Sequence, residues 1–146
     1  MSQDDLFHAA TAGLTPKVAS LLRQGVDPNF VGEGGSPLIA ASLAGHVGAA
    51  KLLLDGGALV DLSDDSGNTA LMEASLGGNP QVVKVLLAHG ADPKAKNQEG
   101  ETALIRAAAW GHTEVVELLC KHAAEIYAAD KDGNTALAWA IKQGQV

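Results

Sequence analysis

The sequence predicts an all-α fold in which short helix pairs repeat along the chain and stack on one another. Four segments of similar sequence start 33 residues apart, and a second apolar stretch follows three of them. Nearly half of the 146 residues are apolar but only 3% are aromatic, which suits small, closely packed helices better than a bulky core. A single helix pair cannot bury its own apolar stripe, so neighbouring pairs must stack.

The first helix of each repeat has recognisable start and stop signals. The four segments are GGSPLIAASLAGH (34–46), GNTALMEASLGGN (67–79), GETALIRAAAWGH (100–112) and GNTALAWAIKQGQ (133–145), with a weaker copy, LFHAATAGL, at 6–14. A hydroxyl residue opens each of the four and can cap free backbone N–H groups. A glycine near the end of the first three suits a left-handed helix stop.

The second helix of each repeat carries apolar residues at helical spacing. These stretches are PKVASLLRQG (16–25), GAAKLLLDGG (48–57), QVVKVLLAHG (81–90) and EVVELLCKHA (114–123). The spacing predicts one buried stripe per helix. Between repeats stand DDSG (64–67), NQEG (97–100) and DKDG (130–133), in which Asp or Asn opens and Gly closes a predicted turn.

The period and wording resemble the ankyrin repeat, whose pattern is roughly D-x-x-G-x-T-P-L-H-x-A-A-x-x-G-H-x-x-V-V-x-L-L-L-x-x-G-A-D. The resemblance covers about the whole chain. It implies an all-α, ankyrin-type helix-turn-helix solenoid with projecting β-turn loops and a role in binding other proteins. We expect one domain, 1–146, with repeats at about 1–31, 32–64, 65–97 and 98–130 and a half repeat at 131–146. NTAL and ETAL in place of TPLH favour a bacterial source.

Some positions depart from the family pattern. Ala123 stands where the other second helices end in glycine, so we expect a strained exit there. The family's asparagine four residues further on appears only as Asn29, and Asp61, Lys94 and Tyr127 replace it. The loop-bracing bond of that asparagine is therefore expected to be lost in the later repeats.

Charge and cysteine content restrict the class of protein. The formal net charge is -7 and the ten Lys and Arg residues are scattered, which argues against nucleic acid or an acidic membrane as partner. The single cysteine, Cys120, occupies the slot of Leu54 and Leu87 and is predicted to be a buried apolar residue. One cysteine, no signal-like N-terminus and no apolar run of about 18 residues predict a cytoplasmic protein.

No catalytic, metal or cofactor site is predicted. Cys120 and His122 form one weak pair without further metal ligands, and GEGGS (32–36) lacks the lysine of a phosphate loop. The resemblance implies that His46 and His112 brace helix turns. An enzyme or metal protein is the alternative, which a pocket of convergent polar groups would favour.

Trp110 is the first candidate for partner binding. Its slot holds Ala12, Ala44, Gly77 and Gln143 in the other copies, and a core position would not accept such a range. The resemblance implies that the two residues before the helix-ending glycine, among them Leu76 and Trp110, lie on the concave face and contact partners. In the alternative, Trp110 packs over Leu76 or Gly77 of the neighbouring repeat.

A second stripe runs beside Trp110. One slot holds Ala40, Glu73, Arg106 and Trp139 in successive repeats, so stacking places these residues side by side, about 8–10 Å apart. We expect Glu73 to pair with Arg106 and Arg106 to lie over Trp139. The alternative is a solvated row of charges that adds little stability.

The turn tips complete the predicted binding surface. Their variable positions are mostly acidic or amide, and we predict an unidentified partner protein with a basic patch. The tip candidates are Asp65, Asn68, Gln98, Glu99, Glu101, Lys131, Asp132 and Asn134. The alternative is that these side chains serve solubility only.

The predicted function is non-enzymatic protein–protein interaction. The alternative is a structural fragment of a longer protein whose activity lies outside this chain. The half repeat at 131–146 favours truncation, which would uncover Leu137, Ile141 and Val146. We expect a monomer, and a dimer through the C-terminal end is the alternative.

Overall fold

The described part of the chain folds into a row of four helix pairs. A computed structural model of the protein describes residues 2–122 and 130–135. Within them the eight helices are α1 (Gln3–Ala12), α2 (Thr15–Arg23), α3 (Pro37–Ala44), α4 (Val47–Asp55), α5 (Ala70–Gly77), α6 (Pro80–Ala88), α7 (Ala103–Ala109) and α8 (Thr113–Lys121). Isolated β-bridges join Gly32 to Gly35 and Ser63 to Thr69. The predicted all-α solenoid is confirmed.

The helices form two layers that share one core. Each first helix contacts the first helix of the next pair, and each second helix contacts the next second helix. The first helices contribute a row of buried leucines, Leu6, Leu38, Leu71 and Leu104. The second helices add Leu53, Leu86 and Leu119, all fully buried. Because every core side chain lies between neighbouring pairs, stacking creates the core.

Hydroxyl side chains start the first helices as predicted. Ser36 Oγ accepts a hydrogen bond from the Ile39 N–H at 3.2 Å, and Thr102 Oγ1 accepts one from the Ile105 N–H at the same distance. Thr69 caps α5 in the same way. Each cap satisfies a backbone donor that the first helical turn leaves unpaired.

The first helices end against the next repeat. Gly78 has φ +69°, and the ring of His112 packs directly against it. His112 Nε2 lies 2.9 Å from the Leu76 carbonyl oxygen, which accepts a hydrogen bond. His46 packs against Gly13 in the same manner. The bracing role predicted for His112 is confirmed by its hydrogen bond to the Leu76 carbonyl.

One expectation about the second helices needs correction. Cys120 is exposed, so the prediction of a buried residue is wrong. Leu54 and Leu87, in the same slot, are 9% exposed. Leu54 and Leu87 lie on α4 and α6, each of which contacts the next second helix, and the described residues contain no second helix after α8.

The loop-bracing bond persists in part. Asn29 donates to the Gly57 carbonyl at 3.0 Å and accepts from the Leu59 N–H at 2.8 Å. Asp61, in the equivalent slot, accepts from the Asp92 N–H at 3.0 Å. The expected loss is therefore wrong for Asp61, because a carboxylate keeps the accepting half of the asparagine's role. Ala123 and Tyr127 lie outside the described residues.

Two buried serines in equivalent slots offer a matched test of the core. Ser75 Oγ donates to the Leu71 carbonyl at 2.7 Å, whereas Ser42 Oγ is buried without a partner. Ala10 and Ala108 occupy this slot in the other repeats, so alanine fits the frame.

Ser75→Ala is expected to lower the free energy of unfolding by about 1 kcal/mol, because a buried hydrogen bond is lost. Ser42→Ala is expected to be neutral or stabilising, because it removes an unsatisfied hydroxyl. Urea unfolding of both variants measures the difference. Equal destabilisation by the two substitutions would contradict the expectation.

Candidate functional site

Trp110 projects into solvent from the end of α7. It is the C-cap residue of that helix, with φ −102° and ψ 6°, and 67% of its surface is exposed. Ala12, Ala44 and Gly77, in the same slot, are exposed as well. The exposed position agrees with the prediction from slot variation. The structure does not show Trp110 buried against the neighbouring repeat.

Trp110 belongs to a row of apolar residues at the ends of successive first helices. Leu43 is 47% exposed and Leu76 is partly buried; the two residues share one frame position on adjacent helices. We call Leu43, Leu76 and Trp110 the apolar row. Sequence reasoning missed Leu43, although its equivalence to Leu76 was a signal that could have found it. Tryptophan is enriched among the few residues that supply most of the binding energy in protein interfaces, whereas leucine is not.

Glu73 and Arg106 pair as predicted. Arg106 Nη1 lies 2.9 Å from Glu73 Oε1, and the two side chains are only 13% and 11% exposed. The alternative of a solvated row of charges is therefore wrong for this pair. Trp139, which was expected to lie under Arg106, is outside the described residues.

The Arg106 guanidinium is the centre of a larger set of polar contacts. Its Nη2 lies 3.0 Å from Asn68 Oδ1 and 3.5 Å from Glu101 Oε1. Asn97 Nδ2 donates to the same two oxygens at 2.9 and 3.0 Å. We call Asn68, Glu73, Asn97, Glu101 and Arg106 the polar cluster. Sequence reasoning missed Asn97, because it read this residue only as the opening of a turn.

Three turn tips share one construction. Asp64 Oδ1 accepts from the N–H groups of Ser66 and Asn68, both at 2.9 Å. Asn97 and Asp130 repeat this pattern at the next two tips. The Gly67 N–H bonds to the Asp64 carbonyl, and the Asp64 N–H bonds to the Asn68 carbonyl. With Gly67 at φ +81°, this is a three-residue hairpin with a glycine bulge.

The first tip is built differently. Gly32 and Gly35 exchange two backbone hydrogen bonds, at 3.1 and 3.0 Å, around a two-residue turn. Val31 stands in the slot of Asp64 and has no side-chain oxygen to accept turn N–H groups. Phe7 of α1 packs against Gly34 and stacks edge-on with Phe30. This tip therefore rests on the first repeat.

The other tips are bonded to one another. The Gln98 N–H donates to the Ser66 carbonyl at 3.0 Å, and Gln98 Nε2 donates to the Asp65 carbonyl at 2.6 Å. At the following junction the Lys131 N–H donates to the Glu99 carbonyl at 2.8 Å. A Cβ on Gly100 would lie 2.8 Å from the Lys131 nitrogen, so glycine permits this close approach.

The tip surface is acidic. Asp65, Glu99 and Asp132 are exposed there, and Lys131 is the one basic side chain in the tips that the structure describes. Lys131 Nζ contacts Glu99 Oε2 at 2.6 Å, and the hydrogen bond to this carboxylate raises the pKa of Lys131. Lys131 is thus neutralised by Glu99, and the charges of Asp65 and Asp132 dominate the surface.

The predicted tip residues divide into two groups. Asp65, Gln98, Glu99, Lys131 and Asp132 are exposed and accessible to a partner. Asn68, Glu101 and Asn134 are partly buried at the roots of the tips. Asn68 and Glu101 direct oxygen atoms into the polar cluster.

Metal-binding and membrane-spanning features are absent from the part of the chain that the structure describes. It contains no group of three or more His, Cys, Asp or Glu side chains placed to hold a metal ion. None of its helices combines the length and apolar character required to cross a membrane.

Comparison with known proteins agrees with the geometry. A family model described as ankyrin repeats in three copies matches residues 6–97 and 78–146. A search of curated proteins found no match for this chain. Ankyrin repeats generally bind partner proteins and are generally non-enzymatic. Because the family model covers nearly the whole chain, the protein belongs to the ankyrin-repeat family.

Proposed function

We propose that this chain is a non-enzymatic module that binds a partner protein through the first-helix face and the turn tips. The observation that carries the proposal is that Trp110 is 67% exposed at the end of α7. The ends of the two preceding first helices carry Leu43, which is 47% exposed, and Leu76, which is partly buried. Tryptophan is enriched in interface hot spots. An exposed indole in an apolar row is an anchor that a partner can cover.

The tips supply the electrostatic part of the proposed surface. Asp65 and Asp132 lie on tips bonded to their neighbours, and Glu99 neutralises the one nearby lysine. A partner with Lys or Arg next to an apolar segment would match both parts of the surface. Because the tips are ordered by backbone hydrogen bonds, docking orders little additional chain.

Cofactor use, oligomeric state, location and source remain predictions. No cofactor is required for this function, and a monomer is the expected state. A cytoplasmic location and a bacterial source stay predictions, supported by the single cysteine and the repeat wording.

Trp110→Ala is expected to weaken partner binding by about 30-fold, the effect of losing a hot-spot side chain worth about 2 kcal/mol. The wild-type chain is used as bait in lysate of the source organism. A captured protein is then purified, and its affinity is measured for each variant.

Leu59→Ala is the matched control, because Leu59 is 61% exposed but lies in the loop after a second helix. Binding that survives Leu59→Ala but not Trp110→Ala supports the proposed surface. Equal affinity for both variants would place the site elsewhere. Failure of the wild-type chain to capture any protein would favour an activity outside this chain.

A further inference from the structure

Arg106 links the turn tips at 64–68 and 97–101 to the first helices α5 and α7. It lies on α7 and bonds to Glu73 on α5, within the preceding repeat. It also reaches Asn68, which closes one tip, and Glu101, which closes the next tip. Asn97 also bonds to Asn68 and Glu101, but among the described residues only Arg106 bonds in addition to Glu73 on α5.

The charge balance of the polar cluster makes its geometry depend on this one guanidinium. Glu73 and Glu101 are 11% and 25% exposed at their side chains, and Arg106 is the only cation among the described residues that contacts them. Without Arg106, two poorly hydrated carboxylates would face each other at the roots of the tips. Such an arrangement is unfavourable, so the carboxylates would move apart towards water.

The bond between the tips begins next to the polar cluster. Asn97, which bonds to Asn68 and Glu101, directly precedes Gln98, whose N–H donates to Ser66. A movement of Asn97 relative to Asn68 would therefore separate Gln98 from Ser66. At the preceding junction, Ala40 offers Glu73 no polar partner, and within residues 2–122 no hydrogen bond joins the first tip to the second.

We propose that Arg106 is a positioning residue that holds the tips at 64–68 and 97–101 in one register. Its guanidinium is occupied by hydrogen bonds within the protein. Arg106 therefore orders the tip surface without contacting the partner. The consequence for binding rests on the proposed function. The positioning role is a property of the free protein and can be measured without a partner.

The test is amide hydrogen exchange of the free protein, followed by NMR. Arg106→Met is expected to speed exchange of the Gln98 N–H by about tenfold more than exchange of the Leu86 N–H in the core of α6, because the tip opens locally. Arg106→Met/Glu73→Leu is the second variant. It removes the guanidinium without leaving Glu73 unpaired, and the same selective effect at Gln98 is expected.

Arg23→Met is the matched control, because Arg23 is exposed on α2 and forms no ion pair with any residue that the structure describes. It is expected to leave Gln98 exchange unchanged. The inference is overturned if Gln98 and Leu86 respond equally in both Arg106 variants.

The two proposals fail in different ways. If the proposed function is wrong, capture is insensitive to Trp110→Ala while the selective exchange at Gln98 remains. If the positioning role is wrong, Gln98 exchange is unaffected while capture still requires Trp110.

Discussion

Arg106→Met is expected to lower the free energy of unfolding by about 2–3 kcal/mol. Removing one partner of a buried ion pair costs about 3–5 kcal/mol, and the residual exposure of Glu73 and Arg106 places this pair at or below the lower end. Asn68 and Glu101 lose a hydrogen-bond donor in the same step. Equilibrium urea denaturation, followed by circular dichroism, measures the change.

A double-mutant cycle separates the interaction energy of Glu73 with Arg106 from the effect of replacing each residue alone. Glu73→Leu leaves Arg106 with Glu101, so its cost is expected to be smaller than that of Arg106→Met. The double variant is expected to be more stable than Arg106→Met, because no uncompensated carboxylate remains at position 73. Strict additivity of the two single effects would contradict an energetic coupling between Glu73 and Arg106.

Gly78→Ala is expected to destabilise the fold by about 2–4 kcal/mol. The left-handed backbone at φ +69° disfavours any residue with a Cβ, by about 1 kcal/mol. The added Cβ would also collide with the His112 ring, and overpacking costs about 1–3 kcal/mol. Thermal and urea unfolding both measure this loss.

Gly25→Ala is the control for the backbone term. Gly25 has φ +86°, and nothing lies within 4 Å of an added Cβ. Only the left-handed penalty, about 1 kcal/mol, is expected there. If Gly78→Ala is no worse than Gly25→Ala, the contact between His112 and Gly78 is not tight.

The architecture was predictable because its signals are local and recur in every copy. Ser36, Thr69 and Thr102 could be assigned as caps from their place before an apolar run, and the glycines as helix ends. Stacking followed from the apolar stripes. The exposure of Trp110 was predictable for a different reason. The equivalent positions of the other repeats hold residues of very different size, which a buried position would not accept.

The polar cluster was only partly predictable. The pairing of Glu73 with Arg106 followed from their shared slot, but its burial did not, because burial depends on how the tips close over the helices. Asn68 and Asn97 are turn residues by local chemistry, and their cross-repeat bond depends on tip geometry. Cys120 was mispredicted because a slot fixes the direction of a side chain but not whether another helix covers it.

The hairpins at the tips bear on how such a chain can lengthen. The bonds from Gln98 to Ser66 and from Lys131 to Glu99 join equivalent positions at successive junctions. A tandem duplication of residues 65–97 would therefore offer the same backbone donor and acceptor at each new boundary. The tip at Gly32–Gly35, seated on Phe7, has no such interchangeable partner. Growth by copying is thus favoured within the middle of the array, and the N-terminal repeat is fixed in its place.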